Sequence, residues 1–281
     1  MLARVAARAP GTSACTGRGA RTGAAMSAVL PGLRFGVASA AGPRETNEDA
    51  TLAQDDVFLV ADGMGGHDAG EVASATAVDA LRALADDATA AAQAGAPSGV
   101  SEQDVRAAVA AAHDSVRALA DSGHRRPGTT LAGVVVTRRA GAPCWLVVNV
   151  GDSRTYRMAG AVLEQVSRDH SEVAELVADG LLPPDEAARH PWRHVVTRVL
   201  GGGASSVEPD VFLLPVSPGD RMLVCSDGLT DALPDARVEA ELKALDDPQA
   251  AADRLVAAAL AAGARDNVTV IVVDAPAHLP G

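Results

Sequence analysis

The chain has 281 residues with 36 acidic and 24 basic side chains, which gives a formal net charge of −12. This charge excludes a dedicated nucleic-acid or anionic-membrane binder, because phosphate contacts require a basic surface, and six aromatic residues provide no platform for stacked bases. Apolar residues make up 48 %, which is enough for a sizeable core and too many for a wholly disordered chain.

The N-terminal segment differs in composition from the rest. Residues 1–44 contain six arginines and no acid, so the remaining chain carries a charge of −18. We interpret residues 1–30 as a disordered extension, or as the product of a start placed too early, with Met26 as the true start. An organelle transit peptide has a similar composition. The folded domain is predicted over residues 31–276, with 277–281 as a tail.

Apolar patterning predicts the elements of this domain in chain order. Strands are predicted at 33–39, 57–61, 129–137, 145–150, 155–158, 211–214, 221–225 and 267–273. Helices are predicted at 70–87, 101–120 and 248–262; Ser101 and Asp104 have the spacing of a capping box. Ala159-Gly160 is typical of a hairpin turn. The strict βαβ rhythm of a parallel sheet is missing, which favours an α+β fold.

Residues 167–203 break this pattern with prolines, three histidines and a glycine triplet. We predict that they form a helix-bearing excursion outside the core, and we interpret its histidines, His170 among them, as solvated.

Cysteines and apolar runs bear on the compartment. Three widely spaced cysteines without a CxxC pair indicate a reducing compartment, the cytoplasm, since a disulfide framework would require more. No run approaches the ~18 apolar residues that a membrane span requires.

Acidic residues stand repeatedly at the ends of apolar strands. The positions are Asn47-Glu48-Asp49, Asp62-Gly63, Gly151-Asp152, Asp227-Gly228 and Asp266-Asn267. A single Asp-Gly is ordinarily a turn that ends a strand. Several carboxylates gathered at one sheet edge would repel one another unless cations lay between them. Ligands that are all oxygen favour Mg²⁺ or Mn²⁺ over zinc.

Six short motifs that occur in a fixed order along the chain make this pattern of acidic residues specific. They are RETNED (44–49), ADGMGGH (61–67), GTT (128–130), GDSR (151–154), CSDGL (225–229) and RDNVT (265–269). Over residues 33–274 the chain resembles the PPM/PP2C family of metal-dependent Ser/Thr protein phosphatases, in its compact bacterial form. The resemblance implies an αββα sandwich, in which two central, mostly antiparallel sheets are flanked by helix pairs, and a centre of two Mn²⁺ or Mg²⁺ ions per chain.

The resemblance also implies a role for each site residue. Asp62 bridges the two ions; the Gly63 carbonyl and Asp49 bind one ion, with Glu48 acting through a water. Asp227 and Asp266 bind the other ion, and Asn267 stands beside them. Asp152 serves a third, weaker metal, and Arg44 binds the substrate phosphate, a task for which a planar charged fork is suited. Residues 167–203 correspond to the flap, which the family comparison links to substrate selection.

The expected reaction is hydrolysis of phosphoserine and phosphothreonine in proteins by a metal-activated water, without a phosphoenzyme. The expected partners are phosphorylated proteins, including a Ser/Thr kinase, and the chain is expected to be a monomer. The alternatives are a catalytically silent binding module and a phosphatase of small phosphate esters.

Some family members place a histidine acid directly after the Asp-Gly pair; that position is Met64 here, and the role cannot be transferred to His67. Cys225 lacks the arginine six residues later that a thiolate phosphatase requires, and is interpreted as a buried small side chain.

Overall fold

The computed structural model describes residues 23–24, 27, 29–65, 68–93, 100–119, 126–187 and 189–279. The strands are β1 (Gly23–Ala24), β2 (Arg34–Ala40), β3 (Asp49–Gln54), β4 (Val57–Met64), β5 (Gly128–Thr129), β6 (Leu131–Arg139), β7 (Ala142–Val150), β8 (Arg154–Ala159), β9 (Val162–Gln165), β10 (Leu200–Gly201), β11 (Asp210–Pro215), β12 (Arg221–Cys225) and β13 (Val268–Asp274). The helices are α1 (Asp68–Gln93), α2 (Glu102–Arg117), α3 (Glu172–Ala178), α4 (Pro184–Ala187), α5 (Asp227–Ala232), α6 (Asp235–Lys243) and α7 (Pro248–Ala261).

The strands form two sheets, and every strand pairing within the described ranges is antiparallel. One sheet has the order β1-β2-β13-β12-β8-β9. The other has the order β10-β5-β4-β6-β7-β11, with β3 paired to β4.

Three apolar layers hold the sheets and helices together. One layer lies between α1, α2 and the β4-containing sheet, and a second lies between the β12-containing sheet and helices α5, α6 and α7. The third lies between the two sheets and includes Phe58, Trp145 and Met222. The predicted αββα sandwich is therefore confirmed. Its β-branched strands alternate sides, so each strand supplies two layers at once.

Two local sequence signals, a capping box and a hairpin turn, are confirmed by the structure. Ser101 caps α2 in a reciprocal capping box with Asp104. Gly160, with φ of +61°, turns β8 into β9 as predicted, and Ala159 lies opposite Val162.

Several elements were not predicted, among them the two-residue strands β1 and β10. Helices α5 and α6 are too short to show a clear periodicity, and β3 continues the acidic 47–49 segment. Residues 167–203 carry α3 and α4 as expected, but the interpretation of this excursion as lying outside the core is wrong at its end. Leu200 is fully buried in the layer under α1 and α2.

The core begins before the predicted domain boundary at residue 31. Val29 and Leu30 are buried between the sheets, and Ser27 donates a hydrogen bond to Asp56. Most of the predicted extension, including Met26, lies outside the described residues, so its disorder stays a prediction.

A membrane span is not found in the described part of the chain. None of its helices combines the length and the apolar character that crossing a bilayer requires.

Candidate metal centre

The layer between the sheets changes from apolar to polar at one end. Along β4, Phe58 and Val60 face the opposite sheet, and Asp62 continues the same alternation. Along β13, Ile271 and Val273 face inward, and the buried Thr269 follows on the same side. The strands therefore bring their polar residues to one shared end of the sandwich.

Five predicted carboxylates meet at this end. Asp49 and Asp62 are direct partners in the β3–β4 ladder, and Asp62 lies within hydrogen-bonding reach of Asp227, the first residue of α5. Asp152 and Asp266 are close enough to act electrostatically on Asp62.

Burial and mutual repulsion raise the pKa values of this cluster. Burial raises the pKa of Asp49 to about 7, with further increases from Asp227 and Asp266. Burial, followed by the charge of Asp49, raises the pKa of Asp62 well above its ordinary value. Burial and neighbouring acids raise the pKa of Asp152 to about 7 and that of Asp227 to about 6. A cation at this place would therefore relieve a strong repulsion.

An unpaired buried oxygen gives an independent test of whether a metal fits. The Oδ2 atom of Asp49 accepts a hydrogen bond from Ser226 Oγ at 2.9 Å, whereas its buried Oδ1 has no partner among the described residues. A buried carboxylate oxygen without a donor is costly. The residues here fit a divalent cation, since they present carboxylate and carbonyl oxygens without a thiolate.

Two threonines hold the backbone of Asp62. Its amide donates to Thr130 Oγ1 at 3.1 Å, and its carbonyl accepts from Thr129 Oγ1 at 2.8 Å and from the Thr130 amide at 2.9 Å. The GTT motif thus positions the carboxylate of Asp62 without belonging to the acidic cluster.

Gly63 allows three backbone segments to meet beside Asp62. A Cβ at this position would lie 2.1 Å from the Gly70 carbonyl oxygen of α1 and 2.7 Å from that of Glu48. A Cβ on Gly70 would lie 2.1 Å from Glu48 Oε2. Gly63 therefore requires glycine because its neighbours are backbone atoms, whereas a side chain at Gly70 would first displace the Glu48 carboxylate.

Asn267 holds the loop that precedes β3. Its Oδ1 accepts from the Glu48 amide at 2.8 Å, and its Nδ2 donates to the carbonyls of Thr46 and Ala41 at 2.9 and 3.0 Å. The Asn267 side chain therefore fixes the backbone that carries Glu48 and Asp49.

Arg44 lies at the exposed rim of the cluster. Its Nη2 donates to Asp266 Oδ2 at 2.7 Å, and its Nε donates to the Arg265 carbonyl at 3.3 Å. More than half of its side-chain surface is exposed, so its guanidinium is accessible to a ligand.

His170 ties the flap to the strand end that carries Asp152. It is buried, and its Nδ1 accepts from the Gly151 amide at 3.1 Å. Its Nε2 lies 3.4 Å from Asp210 Oδ2, and burial lowers the pKa of the imidazole. The interpretation of His170 as solvated is wrong, because an isolated histidine in a loop sequence gives no signal of a tertiary contact.

Sequence reasoning also missed two contacts of the cluster. His194 in the flap and Asp231 in α5 approach Asp227, and the three side chains bring ligand atoms within 4.8 Å of one another. Ser226 hydrogen-bonds to Asp49, and the nearby Thr269 hydroxyl lowers the pKa of the same carboxyl group. Only the position of Ser226 between a strand and Asp227 could have indicated its role.

Two further residues considered in the sequence, His67 and Cys225, do not belong to the described acidic cluster. His67 lies outside the described residues. Cys225 is fully buried, and burial raises the pKa of its thiol to about 12, which agrees with its interpretation as a small apolar side chain.

Comparisons with known proteins point to one family. Residues 39–262 match the family described as protein phosphatase 2C. The serine/threonine protein phosphatase PstP of Mycobacterium tuberculosis is 38 % identical over 255 residues, which cover 89 % of this chain and 46 % of PstP. The serine/threonine phosphatase stp of Listeria monocytogenes is 34 % identical over 220 residues, which cover 78 % of this chain and 84 % of stp.

A solved structure gives the same result for the fold. The crystal structure of the PstP catalytic domain in complex with two manganese ions superposes with a TM-score of 0.74 at 36 % identity, covering 86 % of this chain and 97 % of that one. The chain spans about half the length of full PstP.

Proposed function

We propose that this chain, which belongs to the protein phosphatase 2C family, hydrolyses phosphoserine and phosphothreonine in proteins with the help of bound divalent metal. The observation that carries the proposal is the cluster of Asp49, Asp62 and Asp227, whose carboxylates are held close together at raised pKa values. The related PstP catalytic domain has been solved with two manganese ions.

The proposal assigns the ligands as the resemblance implies. Asp62 would be a ligand of both Mn²⁺ or Mg²⁺ ions, the Gly63 carbonyl and Asp49 would hold one of them, and Asp227 and Asp266 would hold the other. Two further residues act at the margin: Asp152 serves a third, weaker site beside Asp227, and Glu48 acts through water. For Asn267 we propose a positioning role, because its amide is used by three backbone groups.

Bound divalent cations supply Lewis acidity, which lowers the pKa of a nucleophilic water and neutralises charge on the phosphoryl group. The protein contributes placement. Arg44 at the exposed rim can hold two phosphoryl oxygens with its planar fork. Thr129 and Thr130 fix the backbone of Asp62, from which the central carboxylate projects.

The substrates we propose are phosphorylated proteins, with a partner Ser/Thr kinase among them, and the proposed state is a cytoplasmic monomer. Two other functions remain as outcomes of the test: a silent binding module and a phosphatase of small esters.

The test is turnover of p-nitrophenyl phosphate and of a phosphothreonine peptide by the full chain. We expect both activities with Mn²⁺, loss of both in EDTA, recovery when Mn²⁺ is returned in excess, and little effect of an alkylating agent. Activity that survives exhaustive chelation would rule out the metal scheme. Turnover of the small ester alone would favour the small-ester function, and metal binding without turnover would favour the silent module.

A further inference from the structure

The flap carries a cationic and aromatic surface beside the acidic cluster. Residues 189–198 read RHPWRHVVTR, with three arginines, two histidines and no acid, in a chain whose net charge is −12. We define the flap seat as Arg189, Trp192 and Arg193.

The flap seat lies close to the candidate metal centre. His194 Nδ1 is 3.5 Å from Asp231 Oδ2, and His194 shares a cluster with Asp227. Trp192 is only two residues from His194, a distance of at most about 7 Å along the chain. A phosphoresidue held at the metal centre beside Asp227 would therefore place its sequence neighbours within reach of the flap seat.

Trp192 is exposed in a way that the other aromatic residues are not. All six aromatic residues lie in the described ranges; Trp192 is 52 % exposed, whereas the other five are buried or half-buried. An exposed tryptophan on an otherwise aromatic-poor protein is a typical binding anchor.

The backbone under Trp192 is well ordered by hydrogen bonds. The Arg193 amide donates to the His190 carbonyl at 3.1 Å, and the Val195 amide donates to the Trp192 carbonyl at 2.9 Å. The His190 and Trp192 rings meet edge to face with centroids 5.4 Å apart. The indole is therefore held in place before any partner binds, which reduces the entropy lost on binding.

The arginines of the flap seat are free to bind a partner. Both Arg189 and Arg193 are exposed, and neither guanidinium has an ion pair or hydrogen bond with a side chain or backbone group in the described ranges. By contrast, Arg154 is bound to Asp169, and Arg198 is bound to Asp210.

We infer that the flap seat selects substrate polypeptides that carry negative charge two to four residues from the phosphorylated residue. Trp192 packs on the substrate backbone or an apolar side chain, while Arg189 and Arg193 pair with the flanking charge. The negative charge comes from Asp and Glu side chains or from a second phosphoryl group. This inference rests on the proposed function, because the flap seat acts only on a chain whose phosphoresidue occupies the metal centre.

The experiment compares four phosphothreonine peptides on the Mn²⁺-loaded full chain. The peptides differ only at positions −3, −2, +2 and +3, which carry glutamate, glutamine, lysine, or glutamine with one phosphoserine at +3. Each kcat/KM is divided by that for p-nitrophenyl phosphate, which reports on the metal centre alone. At low salt we expect the glutamate peptide to exceed the lysine peptide by ~10-fold, and the preference to shrink as salt screens the charges.

Variants connect this preference to the flap seat. Arg193→Glu combined with Arg189→Glu should abolish or invert the charge preference, and Trp192→Ala should raise KM for all peptides by about 5-fold while leaving their order intact. The phosphoserine peptide distinguishes the two sources of charge. The source that the flap seat prefers is the one whose peptide loses more of its kcat/KM in the double arginine variant.

Matched controls lie at the opposite end of the sandwich. Arg139 is an exposed arginine on the β6–β7 hairpin without an ion pair in the described structure, and Val162 is 66 % exposed on the β8–β9 hairpin. Arg139→Glu and Val162→Ala should leave the peptide preference unchanged.

Two results would overturn the inference: equal normalised kcat/KM for all four wild-type peptides, or a charge preference that persists in the double arginine variant. Absence of turnover on p-nitrophenyl phosphate and on every peptide would instead count against the proposed function itself.

Discussion

At the scale of single residues, Asp62 is the carboxylate on which the other four acids of the cluster act. Its carboxylate faces the charges of Asp49 and Asp227, and two threonines fix the backbone from which it projects. A residue held in this way contributes binding capacity at the expense of the stability of the metal-free chain.

We therefore predict opposite effects of Asp62→Asn on activity and on stability. Turnover should fall by at least ~100-fold, because the bridging ligand is lost. The metal-free variant should be more stable than wild type by about 1–3 kcal/mol at pH 7.5, since one buried charge is removed. The measurements are phosphopeptide kinetics with Mn²⁺ and urea unfolding in EDTA.

The control for this prediction is Glu164→Gln, which neutralises an exposed acid on β9 and should change neither quantity appreciably. Near-normal turnover of Asp62→Asn would remove Asp62 from the bridging position.

At the scale of elements, the loop between β2 and β3 is organised by a residue distant in sequence. Asn267 stands directly before β13, yet its amide fixes the carbonyls of Ala41 and Thr46 and the amide of Glu48. The β2–β13 pairing brings these segments together, so the loop that carries Arg44 depends on another strand for its shape.

This arrangement predicts that Asn267→Ala destabilises the metal-free chain by about 2–3 kcal/mol, because the half-buried Glu48 amide and two carbonyls lose their partner. Asn267→Asp retains the acceptor for Glu48 but loses both donors, so it should also be destabilised. Chemical denaturation and Mn²⁺ titration by calorimetry give the two readouts. If Asn267 were instead a metal ligand, the aspartate variant would keep its stability and bind Mn²⁺ at least as tightly as wild type.

At the scale of the whole molecule, the acidic cluster makes stability depend on pH. The folded-state pKa values of Asp49 and Asp152 are about 7 and that of Asp227 is about 6, against an ordinary value of 3.8. Between pH 4 and 7 these carboxyl groups therefore bind more protons in the folded chain than in the unfolded chain, so their contribution to the free energy of unfolding falls as pH rises.

We predict that the Tm in EDTA is lower at pH 7.5 than at pH 5.5. Millimolar Mn²⁺ should raise the Tm more at pH 7.5 than at pH 5.5, because protons compete with the metal for the same carboxylates. Differential scanning fluorimetry under these four conditions is sufficient. A Tm in EDTA that increases from pH 5.5 to 7.5 would contradict the raised pKa values. In Asp62→Asn, the decrease in Tm over the same pH range should be smaller than in wild type.

The sequence by itself determined most of the longer strands and the placement of acids at their ends. Apolar runs such as 221–225 and the alternation around Asp62 are local signals, and local signals survive without knowledge of the partner strand. The capping box at Ser101 and the hairpin turn at Gly160 belong to the same class, since their contacts span only three or four residues.

Only the tertiary structure decided which residues surround those acids. Ser226 reaches Asp49 across 177 positions, and Asn267 reaches Glu48 across 219. Burial of His170 and the approach of His194 to Asp231 likewise follow from how the flap packs on the end of the sandwich. Such contacts leave no periodic trace in the sequence, because they depend on strand order and layer packing, which a short stretch of chain does not encode.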